Sequence, residues 1–408
     1  MAVFLIQVHS PWADEKDLPS DLDHYILTDR QSKEAELLIR KNSQPETYPT
    51  QMKMLFEILN YFWEREYKPQ ALTTQICNAE GKNLKDVETS FSLLLKRTAW
   101  VLAIVTSTNE NDKILLMSPH LLYARNEETK RLLANHVPYV CTNMPLNSSF
   151  AEFLGITCNV NVDMLKDLLL SWCQRTDELS KEPIHFTTSL NHMKAVYQFL
   201  YSNLSRKDFQ ELTDQHPIIF VTEQQTQGPT DGTFLNRHEV RWTDPSHLFS
   251  KYKASFSDLD HEHILRKPEL DVLYYDISNI FKDAFQVESV PSLEAYVQLM
   301  LHISTRLMGM KSFEDIFVIL TILGCEVMRN WKARTNSLEI ENLKRLIGDK
   351  NCFLEKYNHK WISLNKKPMI ADDVQFENLF KDKTGVYFIE CGERVNNKSG
   401  KRMIFVVD

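Results

Sequence analysis

Glycine is scarce in this chain, and its scarcity excludes several kinds of site. The 408 residues include 10 glycines, well below the usual level of roughly 7%. Loops that cradle phosphate groups need glycine because the backbone must approach the ligand closely. The chain has neither a G-x-G-x-x-G string nor a P-loop. We therefore expect no bound nucleotide and no other cofactor.

Long apolar runs and paired cysteines are also missing. No apolar run approaches the ~20 residues needed to span a bilayer. The apolar start at residues 1–8 lacks the basic segment and the cleavage site of a signal peptide. Seven scattered cysteines without a C-x-x-C pair indicate a reducing compartment and thiols that are buried as small apolar side chains. We expect an intracellular protein, cytoplasmic or nuclear, with no membrane partner.

The chain has no excess of positive charge. Its formal net charge is −8, which disfavours non-specific binding to nucleic acid. The C-terminal part is locally basic through Lys360, Lys366, Lys367, Lys381, Lys383, Lys398, Lys401 and Arg402. Without a nucleic-acid motif such a set is typical of a solvated face. Other proteins are therefore the expected partners, and nucleic acid is the less favoured alternative.

Three similar segments, which we call the first, second and third cassettes, lie near residues 98–141, 216–256 and 352–391. Each has two short apolar runs around a polar turn, which predicts a β-hairpin. Each continues through a Pro or Asp junction into a short helix. Stretches with apolar residues at helical spacing separate the cassettes. The sequence predicts a helix-rich α+β fold in which helical blocks alternate with three small β-hairpin cassettes.

The chain divides into four segments by pattern. Residues 1–48 are poorly patterned, and 49–148, 149–256 and 257–408 each combine helices with one cassette. The apolar run at 402–407 resembles a strand cut short. We therefore expect the third of these cassette segments to be truncated and the sequence to be a piece of a longer protein.

Single residues mark the expected helix ends. Side chains that favour helix starts precede several apolar-periodic stretches, and they are Thr50, Ser149, Asp163, Ser205 with Asp208, Ser292, and Ser312 with Asp315. Pro69 predicts the end of the helix that Thr50 opens. Gly155 predicts a helix stop.

Eight residues are expected to build the cassettes, namely Trp100, Phe234, Trp242, Asp244, Pro245, Trp361, Asp372 and Asp373. The three tryptophans could bind peptides, but at matching places in three hairpins they are more typical of core packing. A carboxylate pair such as Asp372 and Asp373 can bind a cation or act in acid/base chemistry. More often such a pair lies at the start of a helix, where the dipole favours negative charge.

The pattern closest to a metal site is formed by Asp258, Asp260, His261 and His263. Carboxylate oxygens and imidazole nitrogens can both serve as ligands. Structural zinc sites usually include cysteines at short spacing, and none lies here. We therefore favour a solvated polar junction before the next helices, and we expect no bound metal.

A Ser-His-Asp arrangement can be imagined from His185, His192, His216, His238 and His247 with Ser189, Ser246, Asp214 and Asp244. No G-x-S-x-G string supports it. Helix caps and surface polar groups are the favoured interpretation, and we expect no catalytic activity from this chain. An undetected hydrolase remains an alternative, and a histidine within hydrogen-bond reach of a serine or an aspartate would favour it.

Several strings resemble the large sacsin-like proteins of the NO VEIN type. They are FLGI at 153–156 with the helix at 163–172, SLNHM at 189–193 with VYQFL at 196–200, FL at 234–235 with VRWTDP at 240–245, VPS at 290–292 with Tyr296, and KWISL at 360–364 with Asp372 and Asp373. They cover about residues 150–391, and their order and spacing make the resemblance specific. It implies one of the long α/β regions that follow an HSP90-like ATPase domain in that family.

The chain departs from that family at the glycine motifs of the ATPase. ATP binding in the superfamily needs motifs of D-x-G-x-G type, and Asp231-Gly232-Thr233 lacks the second glycine. The resemblance therefore implies a non-catalytic scaffold region for protein interactions, associated with a chaperone function. Two alternatives stay open. One is a nucleic-acid-associated nuclear protein, and the other is a fragment of an ATP-dependent chaperone-like protein whose ATPase domain lies outside this chain.

Overall fold

The chain forms a helix-rich α+β fold with small antiparallel sheets, as the sequence predicts. The structure is a computed structural model. It describes residues 6–9, 25–40, 48–71, 74–78, 83–106, 113–173, 186–223, 228–256, 264–306, 310–332, 338–358, 360–369 and 374–389. The chain divides into two compact units, Met1–Leu204 with Gln224–Gly232, and Ser205–Glu223 with Thr233–Asp408. In these described ranges, no helix is both long and apolar enough to cross a bilayer.

The first unit begins with a sheet that sequence patterning misses. Its four antiparallel strands follow one another in the order β1-β2-β3-β4, and they are β1 (Ile6–His9), β2 (Tyr25–Gln31), β3 (Thr74–Asn78) and β4 (Asn83–Val87). The helices α1 (Lys33–Arg40), α2 (Tyr48–Phe62) and α3 (Lys68–Ala71) lie between β2 and β3 in the chain. Because β2 and β4 mix charged with apolar residues and β3 is mostly polar, none of these three strands alternates strictly, and periodicity gives little sign of them.

The helical run that α2 begins continues past Pro69, where the sequence predicts its end. Helix α2 begins at Tyr48 rather than Thr50, and a π-helical turn, Trp63–Tyr67, connects it to α3. Pro69 is the second residue of α3. Pro69 has no N–H to donate to the preceding turn, and the backbone directly before it departs from regular α-helical geometry as a π-helical turn.

The first cassette follows in the same unit. Helix α4 (Ser90–Arg97) precedes it, and its own elements are β5 (Val101–Val105), β6 (Lys113–Met117), α5 (Glu127–Leu133) and β7 (Tyr139–Val140). Two helices, α6 (Ser148–Leu154) and α7 (Val162–Cys173), follow it. The strands form an antiparallel sheet in the order β6-β5-β7. The core packs Phe56 and Trp63 against Phe150, and Trp100 donates its indole N–H to the Leu95 carbonyl at 2.7 Å. Strand β8 (Phe186–Thr188) and helix α8 (Leu190–Asn203) follow.

The second unit holds the third cassette and most of the second. Its first elements are α9 (Arg206–Gln215), β9 (Ile219–Val221) and β10 (Thr230–Leu235). Of β10, Thr230–Gly232 belongs to the first unit and pairs there with β8. The elements that follow are α10 (Leu248–Tyr252), α11 (Asp271–Tyr274), α12 (Leu293–Arg306), α13 (Met310–Lys332), α14 (Leu338–Ile347), β11 (Phe353–Leu354), β12 (Trp361–Ile362) and α15 (Val374–Phe380). Leu299, Met300 and Ile303 of α12 form one core with Ile316 and Ile319 of α13.

The hairpins of the first two cassettes share one register. Val101 of β5 pairs with Met117 of β6, and Ile219 of β9 pairs with Leu235 of β10. From 101 to 219 and from 117 to 235, both strands are shifted by the same 118 residues. The turn after each hairpin keeps that shift as well, since the amide of residue 121 donates to carbonyl 118 and the amide of 239 to carbonyl 236. The two cassettes therefore share the spacing of their hairpin strands and the turn after them, although β5 is the central strand of its sheet whereas β9 is an outer strand of its own.

The similarity between the two units continues in the helices after the hairpins, where equivalent residues are separated by a different number of positions. Gly155 ends α6 in the left-handed region at φ +77°, and Gln286 occupies the same region at φ +53° after a π-helical turn, Ile280–Ala284. Asn161 caps α7 by accepting the amide of residue 164, and Ser292 caps α12 by accepting the amide of residue 295. From 155 to 286 and from 161 to 292, the shift is 131 residues. A helix, a left-handed residue and a capped second helix thus recur in both units.

The three tryptophans do not occupy matching places. Trp100 lies one residue before β5, Trp242 follows β10, and Trp361 lies on β12. Trp100 and Trp242 are buried and Trp361 is half-buried. Counted from the open end of each hairpin, the second pair of residues includes Leu116 in the first cassette, Phe234 in the second and Trp361 in the third. The strand pairing therefore aligns Trp361 with Leu116 and Phe234, which a comparison of the sequence strings does not show.

The expected helix caps are partly right. Ser205 caps α9 by accepting the amide of Asp208 at 3.2 Å, and Ser292 caps α12 in the same way. For α6 the cap is Asn147 rather than Ser149, which lies inside the helix. Ser312 also lies inside a helix, because α13 already begins at Met310. A Ser two residues inside the true start has the same local pattern as a cap, so the sequence cannot separate the two cases.

Candidate functional site

Among the residues that the structure describes, the two least exposed charged side chains, Arg241 and Asp244, lie at the junction between β10 and α10. We call the group around them the Arg241 cluster, and its members are Arg241, Asp244, Lys267, Glu269, Asp271, Glu288 and Tyr296. Arg241 and Asp244 are both 0% exposed. Buried charges are costly unless they are paired or hydrogen-bonded, so this junction is the strongest candidate for a site in the second unit.

Main-chain hydrogen bonds hold the junction in place. The amide of Arg241 donates to the Pro268 carbonyl at 3.0 Å, and the Arg241 carbonyl accepts from the amide of Leu270 at 3.0 Å. On the next residue, the amide of Trp242 donates to the Glu288 carbonyl at 2.8 Å. Two later segments of the chain therefore fix the backbone of Arg241 and Trp242.

Asp244 organises the start of α10. Its Oδ1 accepts from the Ser246 amide at 3.0 Å, from Ser246 Oγ at 2.6 Å and from the Tyr296 hydroxyl at 3.2 Å. Its Oδ2 accepts from the Phe249 amide at 3.1 Å. Its own amide donates to Glu269 Oε2 at 3.3 Å. With four donors on two oxygens, the acceptor capacity of this carboxylate is largely used within the fold.

Arg241 lies against an aromatic ring and among acidic groups. Its Nη2 donates to the Ile264 carbonyl at 2.7 Å, and its Cζ lies 4.1 Å from the centroid of the Phe249 ring. Burial lowers the pKa of the guanidinium, and nearby carboxylates, that of Glu288 first, raise it in opposition. Because an arginine stays charged in proteins, these carboxylates must balance a buried cation.

Burial also shifts the pKa of two further groups of the cluster. Burial raises the pKa of Glu269, and the charges of Asp244 and Asp271 raise it further, against hydrogen bonding and Arg241. Burial raises the pKa of Tyr296 to about 12. At neutral pH Tyr296 therefore stays protonated and donates to Asp244, which is a positioning contact and not that of a general base.

The charges of the cluster do not cancel. Lys267 pairs with Glu288 at 2.9 Å, Arg241 faces the carboxylates of Asp244 and Glu269, and Asp271 adds a further negative charge that acts on Glu269. Its Nε and Nη1 have no hydrogen-bond partner in the described part of the chain, and the same holds for Oδ1 of Asp271. The geometry favours a rigid polar junction with an acidic excess.

Comparison with known proteins adds no relative to this picture. No family model, no curated protein and no solved structure matches the chain. The resemblance to NO VEIN and sacsin-like proteins therefore rests on the strings of the sequence.

A second buried polar group lies in the first unit around His192. Its Nε2 lies 2.9 Å from the Leu132 carbonyl and its Nδ1 lies 2.7 Å from Thr188 Oγ. Because a carbonyl only accepts, Nε2 carries the proton and Nδ1 accepts from the threonine. Burial lowers the pKa of His192 to about 4. The ring of Trp172 packs 5.5 Å away, and this neutral histidine has both ring nitrogens occupied.

The other histidines named from the sequence do not assemble a triad. His216 is half-buried, His238 and His247 are exposed, and His185 lies outside the described residues. Across the described ranges, no ring nitrogen of this set bonds to one of the serines or aspartates suggested with it. Asp214 pairs with an arginine, and Asp244 and Ser246 bond to each other.

A serine–histidine contact does occur elsewhere. Ser255 Oγ lies 3.0 Å from His302 Nε2, but the same hydroxyl donates to the Tyr252 carbonyl at 2.7 Å. Since the serine proton is directed at a carbonyl, His302 acts here as the donor. Asp315, whose carboxylate is bound by Lys251 at 2.5 Å and by the Tyr252 hydroxyl, does not bond to the histidine in any described contact. This arrangement does not activate a nucleophile.

The remaining site residues fall in three places. Asp258, Asp260, His261, His263, Asp372 and Asp373 lie outside the described residues. Phe234 is half-buried on β10, and Pro245 is exposed beside Asp244. Within the ranges that the structure describes, no group of three or more His, Cys, Asp or Glu side chains is placed to hold a metal ion.

The cysteines differ in part from the expectation of burial. Among the cysteines whose side chains the structure describes, five thiols are free: Cys352 is buried, Cys141, Cys158 and Cys173 are half-buried, and Cys325 is exposed. Burial raises the pKa of Cys352 to about 12. Cys325 lies on α13, where the apolar neighbours that suggested burial face other directions around the helix.

Sequence reasoning missed Arg241, Glu269 and Tyr296. One signal was present, because Arg241 stands between Val240 and Trp242 in a run that otherwise has buried side chains. The spacing of the hairpin strands, once known, points to the junction, because it makes Arg241 the equivalent of Tyr123 in the first cassette. No local pattern, however, shows that chain segments more than twenty residues away supply the carboxylates.

Proposed function

We propose that this chain is a non-catalytic scaffold for protein interactions, from the region of a NO VEIN/sacsin-like protein that follows its ATPase domain. Its partners are other proteins, in the cytoplasm or the nucleus, and its role is to present surfaces to a chaperone-associated assembly. The family part of the proposal rests on the strings between residues 150 and 391. The scaffold part rests on the features below.

An exposed apolar edge strand carries the proposal. Strand β6 is the outer strand of the sheet β6-β5-β7. Ile114 is 56% exposed and Leu115 is 51% exposed, and as neighbours on a strand they point to opposite faces. An edge strand offers a row of main-chain donors and acceptors to another strand. An extended segment of a partner protein would bind here by adding a strand, with pockets for alternate side chains.

The polar groups support the non-catalytic part. The carboxylate of Asp244 is used by four donors, both ring nitrogens of His192 are occupied, and the Ser255 hydroxyl is directed at a carbonyl. Catalytic groups need a free lone pair or proton aimed at a substrate. These side chains instead hold neighbouring segments in place.

The test is affinity purification of partners with two matched variants. Ile114→Lys with Leu115→Lys places charge on the edge strand, and because both residues are exposed the fold should persist. Val272→Lys with Tyr275→Lys is the control, since these residues are 58% and 81% exposed in the second unit. We expect the edge variant to lose partners that the wild type and the control retain, with unchanged circular dichroism.

Two outcomes would count against the proposal. Equal partner recovery by both variants would remove β6 as the binding surface. Hydrolysis of ATP by the purified chain would remove the non-catalytic part and favour the alternative of an ATP-dependent chaperone-like protein.

Contact with nucleic acid is the second candidate. Five lysines of the third cassette, Lys360, Lys366, Lys367, Lys381 and Lys383, are exposed. Phosphate contacts of this kind give binding that weakens steeply with salt. Retarded migration of RNA at physiological ionic strength, lost in a Lys366→Glu with Lys367→Glu variant, would support it. The scaffold proposal instead predicts no RNA binding at that salt concentration.

A further inference from the structure

Two nitrogens of Arg241 remain without an acceptor in a closed environment. The residue is 0% exposed, and its Nη2 is occupied by the Ile264 carbonyl. Nε and Nη1 have no partner in the described residues. A buried N–H without an acceptor is costly, more so on a charged group, and native structures satisfy most such groups with protein or ordered water. Something must accept from these two nitrogens.

The planar geometry of the guanidinium restricts what that acceptor is. Nε shares one edge of the group with Nη2, and Nη1 lies on the other side. A single carboxylate or phosphate binds two nitrogens that share an edge. Because Nε and Nη1 do not share one, a single bidentate anion cannot serve both. The acidic excess of the cluster also opposes a further anion.

An orphaned acceptor lies in the same junction. Asp271 Oδ1 is buried without a partner, while the amide of Asp271 donates to the Trp242 carbonyl at 2.9 Å. Its charge also acts on Glu269, which in turn acts on Arg241. A molecule that accepts from Arg241 and donates to a carboxylate would satisfy both kinds of orphan. Water does both, and it needs two to four polar partners to be held in a buried site.

We propose that the Arg241 cluster binds ordered water, with one molecule at Nε and another at Nη1, and that these waters bridge the guanidinium to its carboxylates, including Asp271 Oδ1. Arg241 and the acidic side chains thus form water-mediated ion pairs in place of direct ones. The site is built entirely from the second cassette and the segments bonded to it.

The first test is a high-resolution crystal structure of the whole chain. We expect ordered water within hydrogen-bond distance of both Nε and Nη1, with at least one of these molecules also bonded to a carboxylate of the cluster. Direct bonds from Nε and Nη1 to Glu269, Asp271 or Glu288, with no water between them, would overturn the proposal.

The second test detects the waters in solution, through the ¹⁷O magnetic relaxation dispersion of long-lived bound water. Arg241→Met should remove at least one long-lived water relative to the wild type. Arg237→Met is the matched control, since Arg237 lies in the same cassette but pairs with the half-exposed Asp214, and it should change nothing. An equal loss in both variants, or no loss in a folded Arg241→Met protein, would contradict the assignment. If Arg241→Met fails to fold, the crystal structure decides.

Discussion

The first and second cassettes share a hairpin register, but the side chains at the junction after the hairpin are neutral in the first cassette and charged in the second. By the shift of 118 residues, Tyr123 is equivalent to Arg241 and Asn126 is equivalent to Asp244. Asn126 accepts from the Thr129 amide at 2.9 Å and donates directly to the Cys158 carbonyl at 2.7 Å. An aspartate has no hydrogen to donate at neutral pH, so the second junction cannot copy that contact. One backbone frame therefore supports a neutral, direct junction and a charged one.

The two junctions also make the same main-chain hydrogen bond to the segment that precedes the later helix. The amide of Ala124 donates to the Thr157 carbonyl at 2.9 Å, and the amide of Trp242 donates to the Glu288 carbonyl at 2.8 Å. From 124 to 242 the shift is 118, and from 157 to 288 it is 131. Since the main-chain bonds are conserved between the copies, the difference in side-chain charge should decide how each junction responds to mutation and pH.

The largest expected effect comes from removing the buried cation of the second junction. Arg241→Met leaves the carboxylates of Asp244 and Glu269 without their balancing charge, and breaking a buried charge pair on one side costs about 3–5 kcal/mol. The equivalent change in the first cassette, Tyr123→Phe, removes one half-buried hydroxyl and should cost less than about 1 kcal/mol. Urea unfolding of both variants measures the difference. Equal costs would mean that the two junctions are energetically alike.

The first unit should respond to acid through His192. Burial holds its folded pKa near 4, below the usual 6.5, so below pH 6.5 the unfolded chain takes up a proton that the folded chain does not. Stability is therefore complete above pH 6.5 and falls as the pH approaches 4, by up to about 3 kcal/mol. Urea unfolding between pH 7.5 and 4.5 should show this slope in the wild type.

Two variants separate His192 from other titrating groups. His192→Gln removes the titrating ring and should flatten the slope between pH 6.5 and 4.5. His238→Gln changes an exposed histidine and should leave it unchanged. If the slope persists in His192→Gln, other groups are responsible.

A reciprocal substitution puts the aspartate of the second junction at the equivalent position of the first. Asn126→Asp keeps the acceptor that caps α5 but loses the donor to the Cys158 carbonyl, so a buried acceptor is left unpaired at a cost of about 1–2 kcal/mol. Lowering the pH should reduce this cost, because a protonated carboxyl can donate again. The control is Asn147→Asp on α6, whose recorded side-chain bond is an accepted one from the Phe150 amide; it should change stability by less than about 0.5 kcal/mol. Equal losses would show that the donated bond to Cys158 is unimportant.

The sequence predicts the parts of this fold that depend on neighbours along the chain. The apolar runs around polar turns place β5 with β6 and β9 with β10, and Ser205 and Ser292 mark helix starts because a cap is a local contact. The sheet β1-β2-β3-β4 is missed because its strands alternate weakly. The Arg241 cluster is missed for another reason, since Glu269 and Glu288 lie far from Arg241 in the chain and approach it only through tertiary packing. The register of the hairpins, once known, supplies the equivalence that string comparison could not.

The smallest expected effect, of opposite sign, comes from Glu269. Its folded pKa is raised, first by burial and then by Asp244 and Asp271. The folded chain therefore holds a proton more firmly than the unfolded chain, and stability from this group is complete below the unfolded pKa and is lost as the pH rises through the folded one. Glu269→Gln removes that loss while keeping an oxygen for the Asp244 amide. At pH 7.5 it should stabilise the chain by less than about 1 kcal/mol, with the gain vanishing near pH 4. Urea unfolding at the two pH values tests this. A loss of stability at pH 7.5 would mean that the charge of Glu269 is needed to balance Arg241, and the second junction would then be a paired network instead of one with surplus acid.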